Sequence, residues 1–281
     1  MAGQVLPEAA VFDLDGVITF TAKVHEAAWK ELFDPYLRLR QERFGEVFRP
    51  FDEADYRAYV DGKPRYDGVA SFLNSRGVQI PRGAPDDAAE AETVCGLGNR
   101  KNLLFNSKVA EMGVDVDSEA VRLVRELRER GVRVGLASSS KNAAAILERV
   151  GLLELFGAVV DGVVSERLRL RGKPAPDIFL QCLEELAGHR EARRSMVVED
   201  AIVGVEAGRA GGFGLVLGVD RVGEAAALRQ HGADWVISDF GQITGEQVVE
   251  YFRRLKTPPS QTRAWVGHPE NSSEARLKNP T

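Results

Sequence analysis

Two pairs of acids end two apolar runs of this chain, and their spacing poses the first chemical question. Asp13 and Asp15 close AAVFDLD (residues 9–15), and Gly16 turns the chain immediately after them. Glu199 and Asp200 close SMVVED (195–200), with Gly204 following. Two residues apart on a strand, Asp13 and Asp15 would point to the same face of a sheet. A bare pair of this kind also occurs as solvated loop acids. Four carboxylates at two strand ends of one sheet would repel strongly unless a cation lay between them. Oxygen ligands beside a substrate phosphate suit Mg²⁺.

Two further groups extend the pattern. Lys173 sits in GKPAPDIF between Gly172 and Pro174, with Pro176 beyond, so the chain is stiff there and the ammonium is placed. Ser138-Ser139-Ser140-Lys141-Asn142 follows the apolar run VRVGLAS and opens a helical pattern. Hydroxyls and N–H groups at a helix start make an anion site, and they also make an ordinary N-cap. In chain order the run ends carry an acid pair, a hydroxyl, a lysine and an acid pair, and the combination is more specific than any part. It suits phosphoryl transfer. Asp13 would attack phosphorus to form an aspartyl phosphate, while Asp15 exchanges a proton with the attacking or leaving hydroxyl. Ser138 and Lys173 would hold the transferring oxygens, with Mg²⁺ between Asp13 and Asp200 neutralising the developing charge. No nucleotide is implied, because GxxxxGK[ST] is absent and Gly96-Leu97-Gly98 lacks a third glycine.

The elements that must position these groups are legible as alternation. Strands are expected at 9–15, 132–138, 158–164, 195–199, 214–219 and 235–238, and helices at 118–130, 142–150, 176–185, 201–210 and 224–230. Several helices stop at glycine, as at Gly131, Gly151, Gly211 and Gly232. Continuous apolar strands between helices predict an open α/β core whose parallel sheet is covered on both faces. The rhythm breaks from about Thr21 to Ser107, where helical, charge-rich stretches such as 24–33 and 53–60 replace it. Inserted after the first strand, this segment would lie over the carboxyl ends of the strands, where open α/β sheets bind ligands. The expected organisation is a core of residues 1–20 plus 109–255, a helical cap at 21–108, and a disordered tail at 256–281.

The composition is that of a globular protein. The chain has 281 residues, 44% hydrophobic, with a net charge of -5 that carries no nucleic-acid footprint. At roughly 150 residues per domain it holds one large or two smaller domains. Cys95 and Cys182 lie far apart in no metal-binding spacing and fit a reducing, cytoplasmic setting. Residues 1–10 include Glu8 and no basic flank, so a signal peptide is not expected. Nor is a membrane partner expected, since no run approaches the roughly 18 apolar residues of a spanning helix.

With these residues in view, the sequence resembles the haloacid dehalogenase superfamily. FDLDGVIT, LASSSKN, GKPAPDIF and VVEDAIVGVEAG are similar to its four motifs, and more narrowly to those of the β-phosphoglucomutases. The resemblance implies a Rossmann-like parallel sheet with a helical cap inserted after the first motif. It also implies interconversion of β-glucose 1-phosphate and glucose 6-phosphate through a bis-phosphate. Asp13 then matches the nucleophile, and Asp15 the acid/base whose backbone carbonyl also binds Mg²⁺. Glu199 and Asp200 match the remaining metal ligands. Ser138 and Lys173 match the groups on the transferring phosphate, and Ser140 and Lys141 the neighbouring substrate loop that includes Ser139. In the cap, Thr21, His25 and Trp29 fit the family's TAxxHxxAW stretch, and Gly62 and Arg65 stand where it binds the second phosphate. Phe20 replaces an acid of the family, and Asp61 stands where it has a lysine.

Plainer assignments stay open for several cap residues. His25 is equally well a packed histidine, Trp29 a core residue, and Arg100-Lys101 a solvated pair. Three functions compete: a Mg²⁺-dependent sugar-phosphate mutase, a small-molecule phosphatase with the same core, and a phosphorylatable regulatory domain. The large cap argues against the last, because a switch needs no chamber over its aspartate. The expected partner is a small sugar phosphate, and the expected state a monomer or weak dimer.

Overall fold

A computed structural model describes residues 6–189 and 191–256; the tail expected from residue 256 lies almost wholly outside them. Six parallel strands form one sheet: β1 (Ala9–Phe12), β2 (Arg133–Ala137), β3 (Val159–Val160), β4 (Met196–Glu199), β5 (Leu215–Val219) and β6 (Trp235–Ile237). Their spatial order is β3-β2-β1-β4-β5-β6. The chain runs outward from β1 on one side and restarts at β4 on the other, so the β1/β4 seam is the switch point at which open α/β sheets form their crevice.

Both faces of the sheet are buried by the period-2 pattern of the strands. Ala10, Phe12, Met196, Val198, Leu215 and Leu217 pack on one side. That side is covered by α5 (Ser118–Glu129), α6 (Ala143–Arg149) and α11 (Gly245–Lys256). Ala9, Val11, Val197 and Val216 face the other side. There they meet α8 (Asp177–Ala187), α9 (Ile202–Ala210) and, through Leu228, α10 (Ala225–Gln230).

Two expected strands are shorter than the apolar pattern suggests. β1 stops at Phe12, so Asp13–Asp15 form a turn beyond the ladder, although Asp13 N–H still donates to Val198 O at 3.0 Å. The strand expected over 158–164 is only Val159–Val160. Asp161 accepts from Val163 N–H at 2.9 Å and Val164 N–H at 3.0 Å, and this N-cap starts α7 (Gly162–Leu168) instead.

Between β1 and β2 the chain builds a helical layer with a core of its own. It comprises α1 (Ala22–Phe44), α2 (Glu53–Asp55) continuing as a π-helical turn over Tyr56–Val60, α3 (Arg65–Ser75) and α4 (Val94–Met112). Trp29, Phe33, Phe51 and Phe72 centre its buried cluster, with the Phe33 and Phe72 rings 4.1 Å apart. α1 runs through Pro35, where a helix would ordinarily kink or end. Tyr36 and Leu37, just past the proline, are buried in the same cluster, and that packing carries the helix on. The far end of α4 returns to the sheet, where Phe105 and Val109 join its core.

Candidate active site

The floor of the site is made by three strand ends. Asp13 follows β1, Ser138 follows β2, and Glu199 ends β4 with Asp200 after it. Lys173 arrives from the loop before α8 and is buried, as are Asp13 and Glu199. Its ammonium donates to Asp13 Oδ1 at 2.6 Å and to Glu199 Oε1. Burial alone would push Lys173 down, but the charges of Asp13 and Glu199 and their hydrogen bonds hold it above its ordinary value. Two glycines make room for the acids. A Cβ on Gly16 would overlap Asp200 Oδ2, and one on Gly204 would overlap Glu199 Oε1.

Asp15 is held by a separate set of groups. Thr21 Oγ1 donates to its Oδ1, and Thr19 Oγ1 lies 2.7 Å from Thr21 Oγ1. His25 Nε2 stands 3.3 Å from the same carboxyl oxygen. Lys101 Nζ lies 2.6 Å from His25 Nδ1. Burial and the Lys101 charge push His25 below its ordinary value, so a neutral imidazole protonated on Nε2 fits, its Nδ1 accepting from Lys101. Burial would raise Asp15; His25, Thr21 and Lys101 together hold it low. Lys101 itself is lowered to about 7 by burial, and Arg65 adds to that.

The serine loop and the helical roof meet over this floor. Ser138 is buried, and its Oγ accepts from Ser140 N–H at 3.1 Å. Ser139 Oγ donates to Gly62 O at 2.9 Å, and Asn142 Nδ2 donates to Asn102 Oδ1 at 2.9 Å, tying roof to floor. Asp13, Asp15, His25, Trp29, Gly62 and Arg65 line one chamber, together with Ser138–Lys141, Lys173, Glu199 and Asp200. Thr21 does not line it. Its hydroxyl, expected on substrate, is committed to Asp15, because the turn after β1 folds back against the start of α1.

Polar chamber residues that the sequence reading did not place in the site include Lys101, Tyr56 and Asp61, the last noted only as standing where the family has a lysine. Lys101, there a solvated pair with Arg100, is buried at the active face of α4 and lies 4.9 Å from the Trp29 ring centre. The signal was available: Leu97, Lys101 and Phe105 share one apolar helical stripe, and a lysine within it needs a reason. Tyr56 and Asp61 come from the π-helical turn, and no sequence pattern marks such a turn. Burial and Glu199 push Asp61 up to about 6, against a hydrogen bond from Tyr56.

The donor set suits a hard divalent cation at the β1/β4 seam. Asp200 is pushed well above the carboxylate range by burial and by Glu199, Asp61 and Asp13. Burial, Glu199 and Asp15 likewise raise Asp13 against the pull of Lys173. Acids that raise one another in this way are relieved by a cation between them. Among the described residues no three acid, histidine or cysteine side chains converge as a finished metal cluster. Glu199 turns its two oxygens to Lys173 and to Ala201 N–H, the latter at 2.7 Å. Asp13 and Asp200 remain, a small carboxylate set that fits Mg²⁺, which keeps several waters.

The profile of the haloacid dehalogenase-like hydrolases matches residues 7–212. The chain is 48% identical over 245 residues to a β-phosphoglucomutase of Mycobacterium tuberculosis, covering 85% of this chain and 93% of that protein. With the β-phosphoglucomutase of Bacillus subtilis it shares 30% identity over 249 residues, 89% of this chain and 97% of the relative. The crystal structure of a Clostridium difficile β-phosphoglucomutase superposes with a TM-score of 0.69 at 24% identity, over 88% of this chain and 97% of that one. That superposition establishes the fold: a six-stranded parallel sheet flanked by helices.

Proposed function

The chain belongs to the haloacid dehalogenase-like hydrolase family, and from that premise we propose that it is a Mg²⁺-dependent mutase interconverting β-D-glucose 1-phosphate and glucose 6-phosphate. In this reading the helical layer, residues 21–108, is a cap on a core of 1–20 plus 109–255. The observation that carries it is Arg65. Its half-buried guanidinium lines the same chamber as Asp13 and makes no ion pair among the described residues. A mutase needs such a group to hold the phosphate that is not reacting, whereas a phosphatase of small monoesters has no second phosphate to hold.

Asp13 carries the phosphoryl group as an aspartyl phosphate. The sugar C6 hydroxyl attacks that phosphorus, the bond to Asp13 Oδ breaks, and Asp15 accepts the hydroxyl proton. The resulting bis-phosphate reorients within the chamber. Asp13 then attacks the C1 phosphate, the C1 oxygen leaves, and Asp15 returns its proton to that oxygen. Asp15 suits the first step because its partners keep it ionised. Lys173 and Ser138 hold the oxygens in flight, and Arg65 grips the idle phosphate through its planar fork. Bound by Asp13, Asp200 and the Asp15 carbonyl, Mg²⁺ would supply neutralising charge at the transferring group. The cap keeps water from the acyl phosphate. A cytoplasmic monomer or weak dimer belongs to the same reading.

Product analysis tests it. With β-glucose 1-phosphate, Mg²⁺ and a bis-phosphate primer, glucose 6-phosphate should form faster than inorganic phosphate. Inorganic phosphate as the main product would make the protein a phosphatase.

A further inference from the structure

Behind the wall formed by Arg65, Lys141 and Lys173 lies a second cavity of about 200 Å³, between the helical layer and the loop that follows α7. Its charge is lopsided on a chain whose net charge is -5. Arg65 and Arg82 line it from the helical layer, and Lys141, Arg169, Arg171 and Lys173 from the core, against only Asp67 and Glu166. Lys173 is paired with Asp13 and Glu199, and Arg171 with Asp177, so among the described residues the cations left without a close acid are Arg65, Arg82 and Arg169. Glu166 is taken by Lys141 at 2.7 Å, and Asp67 reaches Arg82 only at 3.7 Å.

Arg169 is the odd residue of this cleft. Among the described residues it is the one non-glycine with a left-handed backbone, at φ 55. Its N–H donates to Glu166 O at 3.1 Å, closing the end of α7. Its guanidinium has no hydrogen bond or ion pair among the described residues. Nearby, Ser165 lines the same cavity, and its buried Oγ has no hydrogen-bond partner among the described residues. The two walls touch at one end, where a Cβ on Gly172 would come within 2.3 Å of the Pro64 ring. A ligand in the cleft would therefore contact both walls at once.

We propose that this cleft is an outer anion site taking a phosphomonoester dianion, either a sugar phosphate on its way to the chamber or free inorganic phosphate. Guanidinium forks on opposite walls suit a tetrahedral dianion better than one wall could. Ser165 supplies an unspent hydroxyl. The inference rests on the preceding reading only in that the chamber handles phosphate esters.

The test is calorimetric titration of inorganic phosphate into the full chain and into a variant with Arg82→Gln and Arg169→Gln, both exposed positions. The unmodified chain should bind two phosphates and the double variant one. Equal stoichiometry and affinity in the two proteins would overturn the site, whether or not any sugar phosphate is turned over. Kinetics then identify the source of the anion. For a site on the substrate's path, kcat/KM for β-glucose 1-phosphate should fall about tenfold at low salt, the loss falling on KM rather than kcat and shrinking as salt rises. For an effector site, the variant should instead lose only the response of the rate to added phosphate.

Discussion

At the floor of the chamber the Lys173 ammonium bonds two core carboxylates, Asp13 and Glu199, with Asp200 lining the same space, whereas at the roof Arg65 and Lys101 hang from helices with no carboxylate bonded to them. The floor groups sit at the ends of strands paired in register, Val11 against Gly135 and Val197, so their spacing is set by the ladder. The roof groups ride on α3 and α4, joined to the floor by a few polar contacts such as Ser139 to Gly62. The difference teaches a division of labour. In the proposed mutase reading, groups that make and break bonds need fixed spacing, whereas groups that hold a ligand which must enter and turn can sit on a separately packed layer.

The largest effect should come from the floor. Asp13→Asn should cost on the order of 10⁴-fold in turnover, and mass spectrometry should find no phosphate on residue 13. Phosphorylation elsewhere would break the assignment of bond-making to the floor. Next, Lys173→Met leaves Asp13 and Glu199 buried without their shared cation. Denaturant unfolding should register a loss of about 3–5 kcal/mol. An unchanged midpoint would mean that the floor acids do not depend on that ammonium.

Arg65→Ala tests the roof. It should lower mutase turnover by roughly 10²–10³-fold while Asp13 is still phosphorylated by a small donor such as acetyl phosphate. Loss of both half-reactions together would erase the contrast between roof and floor. The smallest effect should come from Thr21→Val, at the join of the two regions. Asp15 lies below its ordinary pKa partly through the Thr21 hydroxyl. Without that donor its pKa rises, so the acidic limb of the kcat/KM profile should move to higher pH while the alkaline limb stays in place. A profile that does not move would assign Thr21 to structure alone.

Most of the floor was legible in the sequence because strand-end chemistry is local. AAVFDLD, VRVGLAS and SMVVED each combine an apolar run with the polar residues that terminate it, and short connections leave few ways to order such runs. Local rules also account for the error at 158–164. GVV has the composition of a strand, but the Asp161 carboxylate captures two N–H groups and turns those residues into the start of α7. The roof was legible as a helical insertion and, through its resemblance, at His25, Gly62 and Arg65. Lys101 was lost because its partner His25 lies on another helix, 76 residues away. The apolar stripe of Leu97 and Phe105 marks Lys101 as out of place, but only its contact with His25 shows what holds it there.

The sequence by itself determined the parallel α/β core, the inserted helical layer and the order of acid, hydroxyl, lysine and acid along the strand ends. Period-2 and period-3.6 burial, capping and strand termination act over a few residues, and that is the range a sequence pattern spans. Only the tertiary structure decided how those groups share protons and charge. It set Lys173 between Asp13 and Glu199, committed Glu199 to Lys173 and Ala201, and turned Thr21 toward Asp15. It also placed Asp61 and Lys101 in the chamber. Electrostatic interactions depend on distance and burial, and both are set when segments far apart in the chain pack against one another.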